Sequence, residues 1–506
     1  MKYDYKYFLL LILACVGLNP FLVHAQSVDD DRPLDEHDLI VSLDEVLDGH
    51  PSALRATITL KVVDLQSGAI LYDRSGNRLL TPASNLKIYT SACALDCFGP
   101  SHQFPTLLVA EGPIRNGILH GNLILIGGGN AMLTSSKLFE WIDRVVAETK
   151  LHRIEGEVVV NNHRYGDSLK GPGWMWDDDP DYYNMPVTPL MVDFNCVTVR
   201  LTPSEQKSPL AVLAPPAAYP PIRFQLQAGP LQINPERPYT ITRKPFRDSI
   251  EVLGHGPLQQ PVKKRITMND PSLWVQALMT RHLSDSGVAF TPTPATLAQR
   301  KGRKGALKEQ NRQWRLDGVS LAETLNHFHS ISENAVGEVL LHELAIVQGT
   351  EQPDWSAGAQ TISQWLVETA GLEKDSFRLV DGSGLSRYNL ISADSSVKLL
   401  AFMHQHRHFK SYFKSLRVYP VELKGLDWPE LTTTDISRNR VSAKSGGMTG
   451  VATISGYLQT LTGRRLAFSL LANGFVGSSK PLHALRSQVW RVLVRYRDKA
   501  DQLHNK

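Results

Sequence analysis

Cysteine is scarce in this chain, and its scarcity excludes a fold built on disulfides. Only 4 cysteines occur among 506 residues, whereas small secreted scaffolds carry them densely. No spacing of cysteine and histidine resembles a zinc site either. Cys93 and Cys97 fall within one apolar run, so we expect both to serve as small apolar side chains.

Excess charge and long apolar runs are also absent. The net charge of +4 is too small to predict nucleic-acid binding. Beyond the N-terminus, no run approaches the length needed to cross a bilayer. A hydrophobic content of 42% and a charged content of 21% are typical of a globular protein, and 506 residues exceed one ordinary domain.

The N-terminal segment has the features of a signal peptide. Lys2 and Lys6 precede an apolar stretch, and a small-x-small cleavage pattern ends at Ala25. Residues 1–25 are therefore predicted to direct export and then to be removed, which favours a periplasmic location. Lipid anchoring through Cys15 is the alternative.

Helical and strand patterns alternate differently along the chain. Both ends mix the two patterns, whereas the middle is mostly β. We therefore predict an α/β (α+β) domain formed by residues 26–102 and 266–506 and split by a β-rich insertion at 103–265. The acidic stretch at 27–50 is expected to be an irregular lead-in.

A serine and a lysine stand three residues apart where a core helix is predicted to begin. Ser84 and Lys87 precede an apolar run that ends at Gly99-Pro100. Side chains three apart share one helix face. A buried lysine that loses its charge could take the serine proton. A helix cap followed by a surface lysine is the alternative for this motif alone.

Two further motifs carry hydroxyl, amide and amine groups. Ser332-Glu333-Asn334 lies between two predicted helices, where its hydroxyl could relay a proton and its amide could hold a peptide bond. Lys444-Ser445-Gly446 lies on a predicted strand, and the glycine would let a substrate backbone approach. Taken separately, the alternative for the first motif is a helix cap, and the alternative for the second is a strand end with a solvated lysine.

The order of the three motifs is more specific than any one of them. Ser-x-x-Lys, Ser-x-Asn and Lys-Ser/Thr-Gly follow one another as in penicillin-binding proteins and class A β-lactamases. Within that group the chain resembles the penicillin-binding-protein-4 type of D-alanyl-D-alanine carboxypeptidase/endopeptidase, peptidase family S13. The stretches that carry the resemblance are 82–87, 127–129, 174–178, 182–183, 381–387, 443–446 and 455–457.

The resemblance implies an architecture as well as an activity. Ser332 lies 248 residues after Ser84, a far longer gap than in β-lactamases. In this family the gap holds two nested extra domains within a serine DD-peptidase/β-lactamase-like domain. The implied enzyme is a serine-type D-Ala-D-Ala carboxypeptidase and DD-endopeptidase that cleaves peptidoglycan stem peptides, is acylated by β-lactams, and needs no metal or organic cofactor.

The resemblance also assigns a role to each motif residue. Ser84 would be the acyl-ester nucleophile, Lys87 its general base, and Ser332 the relay to the leaving amine. The other members of the set would bind substrate: Asn334 the amide, Lys444 and Ser445 the terminal carboxylate, and Gly447 the oxyanion through its N–H. Lys444 would also help to keep Lys87 neutral.

Two departures from the family pattern leave other functions open. The usual Lys-Thr-Gly is Lys-Ser-Gly, and the next position, usually Thr or Ser, is Gly447, which removes a hydroxyl from carboxylate binding. A related Ser-x-x-Lys hydrolase (an esterase, D-amino-acid amidase or β-lactamase) and a non-catalytic wall-binding homologue are the alternatives. The basic stretch at 300–305 is either a solvated loop or a peripheral contact with membrane or wall.

Overall fold

The computed structural model describes most of the chain. The described residues are 33–203, 210–216, 222–226, 239–243, 247, 249–254, 258, 260–292, 311–421, 423 and 439–498. The predicted signal peptide, Cys15 and the basic stretch at 300–305 lie outside these residues.

Helices and short strands alternate through the described residues. The helices are α1 Glu36–Asp48, α2 Lys87–Phe98, α3 Ser135–Thr149, α4 Pro271–Asp285, α5 Leu321–Ser330, α6 Asn334–Val347, α7 Trp355–Glu368, α8 Ala393–Gln405, α9 Phe409–Ser415 and α10 Lys480–Leu493. The first half of the strands is β1 Thr57–Asp64, β2 Ile70–Arg74, β3 Gln103–Glu111, β4 Ile114–Arg115, β5 Ile118–Leu119, β6 Asn122–Gly127, β7 Asn130–Leu133, β8 Arg153–Ile154, β9 Val158–Asn161, β10 Leu190–Val192, β11 Cys196–Thr202 and β12 Leu210–Ala214. The second half is β13 Ile222–Leu226, β14 Tyr239–Arg243, β15 Ile250–Gly254, β16 Val262–Thr267, β17 Ala289–Phe290, β18 Gln313–Ser320, β19 Phe377–Arg378, β20 Leu390–Ile391, β21 Arg417–Pro420, β22 Asn439–Met448, β23 Val451–Gln459 and β24 Arg465–Asn473.

An antiparallel six-stranded sheet joins the two ends of the chain. Its order is β2-β1-β24-β23-β22-β21, so the first strands pair with the last. The β1–β2 hairpin predicted from the sequence forms one edge. At the other edge, β21 pairs with β22 only through residues 439–443. The second half of β22, which carries the Lys-Ser-Gly motif, therefore has one side that β21 leaves open.

Helices cover both faces of this sheet. On one face, α1 and α10 pack against the sheet and bury a cluster that includes Leu43, Phe468 and Trp490. On the other face, α2 is surrounded by α5, α6, α7 and α8 in a second cluster that includes Tyr89, Phe328 and Leu400. Because α2 is enclosed on all sides, nine of its twelve residues are buried, which fits its low charge. The predicted α/β class is thus confirmed.

The inserted region has a core of its own. Buried side chains between residues 108 and 288 form one further hydrophobic cluster. Three elements that follow the proposed boundary at residue 265 belong with it. Helix α4 buries Trp274 and Leu278 in this cluster, β17 pairs with β8, and β18 pairs with β3. These three elements therefore pack against the insertion although they follow its proposed boundary.

The expectation of an irregular lead-in is wrong for residues 36–48. These residues form α1, and Asp35 caps its N-terminus by accepting a hydrogen bond from the Asp38 N–H at 2.9 Å. Leu39, Leu43 and Leu47 lie on one face and are fully buried. In the described part of the chain, no helix has both the length and the apolarity needed to cross a membrane.

Candidate active site

The turn that carries Ser84 is held tightly against strand β22. The Thr453 hydroxyl donates to the Pro82 carbonyl at 2.6 Å, and the Asn85 amide donates to the Lys444 carbonyl at 2.7 Å. A Cβ at Gly446 would lie 2.3 Å from the Pro82 carbonyl oxygen, so only glycine allows this approach. These contacts bring two of the three sequence motifs together.

Lys87 connects the turn that carries Ser84 with the Ser-x-Asn motif. Its ammonium nitrogen lies 2.9 Å from Ser84 Oγ, 2.7 Å from Asn334 Oδ1 and 2.8 Å from the Ser383 carbonyl oxygen. Lys87 is fully buried, whereas Ser84 is partly exposed. The arrangement presents a hydroxyl to solvent and keeps its hydrogen-bonded amine out of water.

Burial is the main influence on the charge of Lys87. Removal from water lowers the pKa of Lys87 to about 8, although the nearby carboxyl groups of Glu338, Asp381 and Glu333 act to raise it. Glu338 is itself fully buried, and burial raises its pKa well above the ordinary value. Because a carboxyl group with a raised pKa carries less negative charge at a given pH, Glu338 opposes the loss of the Lys87 proton less than an ordinary carboxylate would.

The Ser332–Asn334 loop has an unusual backbone conformation at Ser332, and the side-chain amide of Asn334 is already hydrogen-bonded within the protein. Ser332 adopts a positive φ of 62° two residues before α6, a conformation that a non-glycine residue keeps only under constraint. Asn334 accepts from Lys87 through Oδ1 and donates through Nδ2 to the Tyr183 carbonyl at 2.9 Å. The predicted role of Ser332 as a relay and of Asn334 as a substrate ligand stays a prediction.

Strand β22 places its motif residues on two faces. Lys444 is buried on the α2 side, where its partner Ser455 donates to Asn85 at 3.0 Å. Ser445 faces the opposite side and accepts a 3.2 Å hydrogen bond from the Tyr419 hydroxyl. Gly447 lies on the same face as Ser445 and is exposed.

Lys444 is a weaker source of positive charge than the sequence suggested. Burial, together with the charges of Lys87 and Arg417, lowers the pKa of Lys444 well below its ordinary value. Its ammonium nitrogen donates to the Ser445 carbonyl at 2.7 Å. The charge of Lys87 disfavours charge on Lys444, and burial is the largest cause of the lowered pKa of each lysine.

The loop at residues 381–389 contributes to the site without a role assigned from sequence. The buried Asp381 carboxylate accepts hydrogen bonds from the backbone of Gly384 and Ser386 and from the side chains of Asn389 and Trp174. This network fixes the Ser383 carbonyl that accepts from Lys87. The glycine-rich Asp381–Arg387 stretch was the signal for this loop, but it did not reveal the contact.

The fold and the site define a class of enzyme. A partly exposed serine is hydrogen-bonded to a buried lysine at the start of a core helix, beside an open strand that carries Lys-Ser-Gly. These features define a serine hydrolase of the Ser-x-x-Lys class.

Comparison with known proteins identifies the family. The model of the D-Ala-D-Ala carboxypeptidase 3 (S13) family matches residues 39–494. A D-alanyl-D-alanine carboxypeptidase of Actinomadura sp. (strain R39) is 29% identical over 92% of this chain and 86% of its own length. The carboxypeptidase DacB of Haemophilus influenzae is 23% identical over 81% of this chain and 84% of its own length.

The fold comparison agrees with the sequence comparison. The crystal structure of penicillin binding protein 4 (dacB) from Haemophilus influenzae matches with a TM-score of 0.74 at 20% identity, covering 90% of this chain and 99% of that one. The chain belongs to the S13 family of serine-type D-Ala-D-Ala carboxypeptidases, which confirms the resemblance drawn from the motifs.

Proposed function

We propose that this protein is exported and cleaves the D-Ala-D-Ala bond of peptidoglycan stem peptides, and the corresponding crosslink, through an acyl-ester on Ser84. The observation that carries the proposal is the 2.9 Å contact between Ser84 Oγ and the buried amine of Lys87. Export is supported by the charged and apolar pattern of residues 1–25, which favours the periplasm over an anchor at Cys15.

In the acylation step, neutral Lys87 takes the Ser84 proton as Oγ attacks the carbonyl carbon of the penultimate D-alanine. Negative charge develops on the carbonyl oxygen, where the N–H groups of Ser84 and Gly447 would stabilise it. One such donor contributes about 3 kcal/mol to the transition state. The positive φ of 49° at Ala83 is consistent with a turn constrained to aim Ser84 N–H at a fixed point.

In the second half of the reaction, the proton returns to the leaving amine. Ser332 would carry it from Lys87, since Ser332 is two residues from Asn334, which contacts the Lys87 amine. D-Alanine, or the strand of a crosslink that bears the released amine, then departs, and water, deprotonated by Lys87, hydrolyses the ester. A β-lactam would acylate Ser84 by the same first step.

The substrate peptide is expected to lie along the open half of β22. Residues 444–447 follow the stretch paired with β21, so an extended peptide can add to this edge. Ser445 would then hydrogen-bond its terminal carboxylate, Lys444 would add positive potential from the other face of β22, and Asn334 would bind its amide. The Haemophilus influenzae protein has been solved in complex with a β-lactam, with a TM-score of 0.67 to this chain.

D-Alanine release should rise with pH because the reaction needs neutral Lys87. With the pKa of Lys87 at about 8, the rate at pH 7 should be about a tenth of its limiting value. The measurement is kcat/KM for an N-acylated peptide ending in D-Ala-D-Ala between pH 6 and pH 9.5. The same peptide ending in D-Ala-L-Ala is the stereochemical control and should not be cleaved.

Replacing Glu338 with glutamine tests the origin of this profile. Glutamine is isosteric with a protonated Glu338 and cannot add negative charge near Lys87. We expect Glu338→Gln to keep activity. The pH at which its kcat/KM rises should be the same as in wild type or lower. A rise in kcat/KM that occurs at higher pH in Glu338→Gln than in wild type would contradict the proposed origin of the profile. Hydrolysis confined to simple esters would contradict the proposed peptidase function and favour a related esterase.

A further inference from the structure

A cavity lies on the face of β22 that points away from Lys87. Its volume is about 300 Å³, and it extends from Ser445 and Gly447 towards helix α10. The cavity exists because three facing strand positions carry small residues: Gly447 pairs with Ala452, and Ala452 pairs with Ala472. A Cβ at Gly447 would meet only one atom, at 4.0 Å, so this end is open.

The lining of the cavity is cationic. Arg417 and Arg486 both contact the ring of Tyr419, each with its guanidinium carbon 5.3 Å from the ring centroid. Arg486 also stacks on Trp490 at 4.8 Å. Among the described residues that line the cavity, none is acidic.

The two arginines have charge that the described residues leave unneutralised. Neither Arg417 nor Arg486 forms an ion pair with a described carboxylate, and the buried Nε of Arg486 has no hydrogen-bond partner among the described residues. Positive charge that no described carboxylate balances favours an anionic ligand in the cavity beside it. Arg417 also acts on the Lys-Ser-Gly motif, because its charge contributes to the lowered pKa of Lys444.

Ser445 connects this cavity with the substrate edge. Its hydroxyl accepts from Tyr419 and so has its own proton available for an anion. At position 447 the family pattern has a second hydroxyl, which glycine does not supply here. The cationic cavity opens directly beside this position.

We infer that Arg417 and Arg486 are specificity-determining residues, forming the cationic wall that attracts and orients the terminal carboxylate of the substrate beside Ser445. This inference rests on the proposed peptidase function and extends it. The two guanidiniums replace the missing hydroxyl at position 447 with positive charge. Selectivity for a free carboxylate over an uncharged C-terminus therefore depends on residues outside the three motifs.

The test compares an N-acylated peptide ending in D-Ala-D-Ala with its C-terminal carboxamide. The enzymes are wild type, Arg417→Gln, Arg486→Gln, the double variant, and Arg486→Lys, with kcat and KM measured for each. For the double variant we expect KM for the acid to rise by about 10- to 100-fold with little change in kcat, while kcat/KM for the carboxamide changes by less than about threefold. Arg486→Lys should recover much of the loss.

The outcomes separate this inference from the function it rests on. If wild type releases D-alanine and the double variant keeps the same preference for acid over carboxamide, the inference is wrong and the peptidase proposal stands. An equal loss on both substrates would show a merely structural role and would also overturn it. If wild type cleaves neither peptide, the proposed function fails, and the inference fails with it.

Discussion

Replacing Lys87 with methionine will lower the rate of Ser84 acylation by at least about a thousandfold, the scale expected when a general base is lost. Methionine fills the space of the buried aliphatic part of Lys87 but lacks the amine that contacts Ser84, Asn334 and the Ser383 carbonyl. Acylation by a reporter β-lactam, followed by stopped-flow fluorescence, measures the effect. The pH dependence assigned to Lys87 should disappear in the residual activity.

A second buried lysine provides the matched control. Lys61 is 8% exposed and contacts Asp73 and Asp394 on the far edge of the sheet. Lys61→Met should lower the unfolding temperature by breaking these pairs, yet leave the acylation rate near that of wild type. If both lysine variants lose acylation equally, the loss reflects folding, and Lys87 is not the base.

Replacing Gly384 with alanine will also cost most of the acylation rate, by about a hundredfold or more, because misplacing a reacting group by about 1 Å has effects of that size. A Cβ at Gly384 would lie 1.9 Å from the Ala83 carbonyl oxygen, so the loop and the Ser84 turn must separate. That movement also shifts the neighbouring Ser383 carbonyl away from Lys87. The acylation rate and the unfolding temperature should be measured together.

Gly371 separates backbone strain from the steric effect. Its φ of +69° resembles the +87° of Gly384, but a Cβ there meets nothing within 4 Å. Both alanine variants therefore carry a similar conformational penalty of about 1 kcal/mol. Only Gly384→Ala should lose acylation, and wild-type rates in that variant would contradict the assigned geometry.

The contact between Ser84 and Lys87 could be predicted because the two residues are local in sequence. Ser84 and Lys87 lie on one turn, so their contact follows from helical spacing. The order of the three motifs then predicted the family, and the S13 match confirms it. The helix, strand and hairpin patterns at both ends of the chain were strong enough to predict the α/β class.

Contacts between distant segments could not be read from the sequence. The Ser383 carbonyl meets Lys87 across 296 residues, and no local pattern selects that carbonyl among many. The face of β22 that Ser445 occupies depends on register with β23, which alternation alone does not fix. Helix α1 is a different case, since Leu39, Leu43 and Leu47 recur every four residues and could have revealed it.

The most direct test of the account is the intact mass of the protein after incubation with a β-lactam, for wild type and for Ser84→Ala. Wild type should gain the mass of one β-lactam on a peptide that contains Ser84, and Ser84→Ala should gain nothing. A gain that persists in Ser84→Ala, or no gain in folded wild type, would contradict the assignment of Ser84 as the nucleophile.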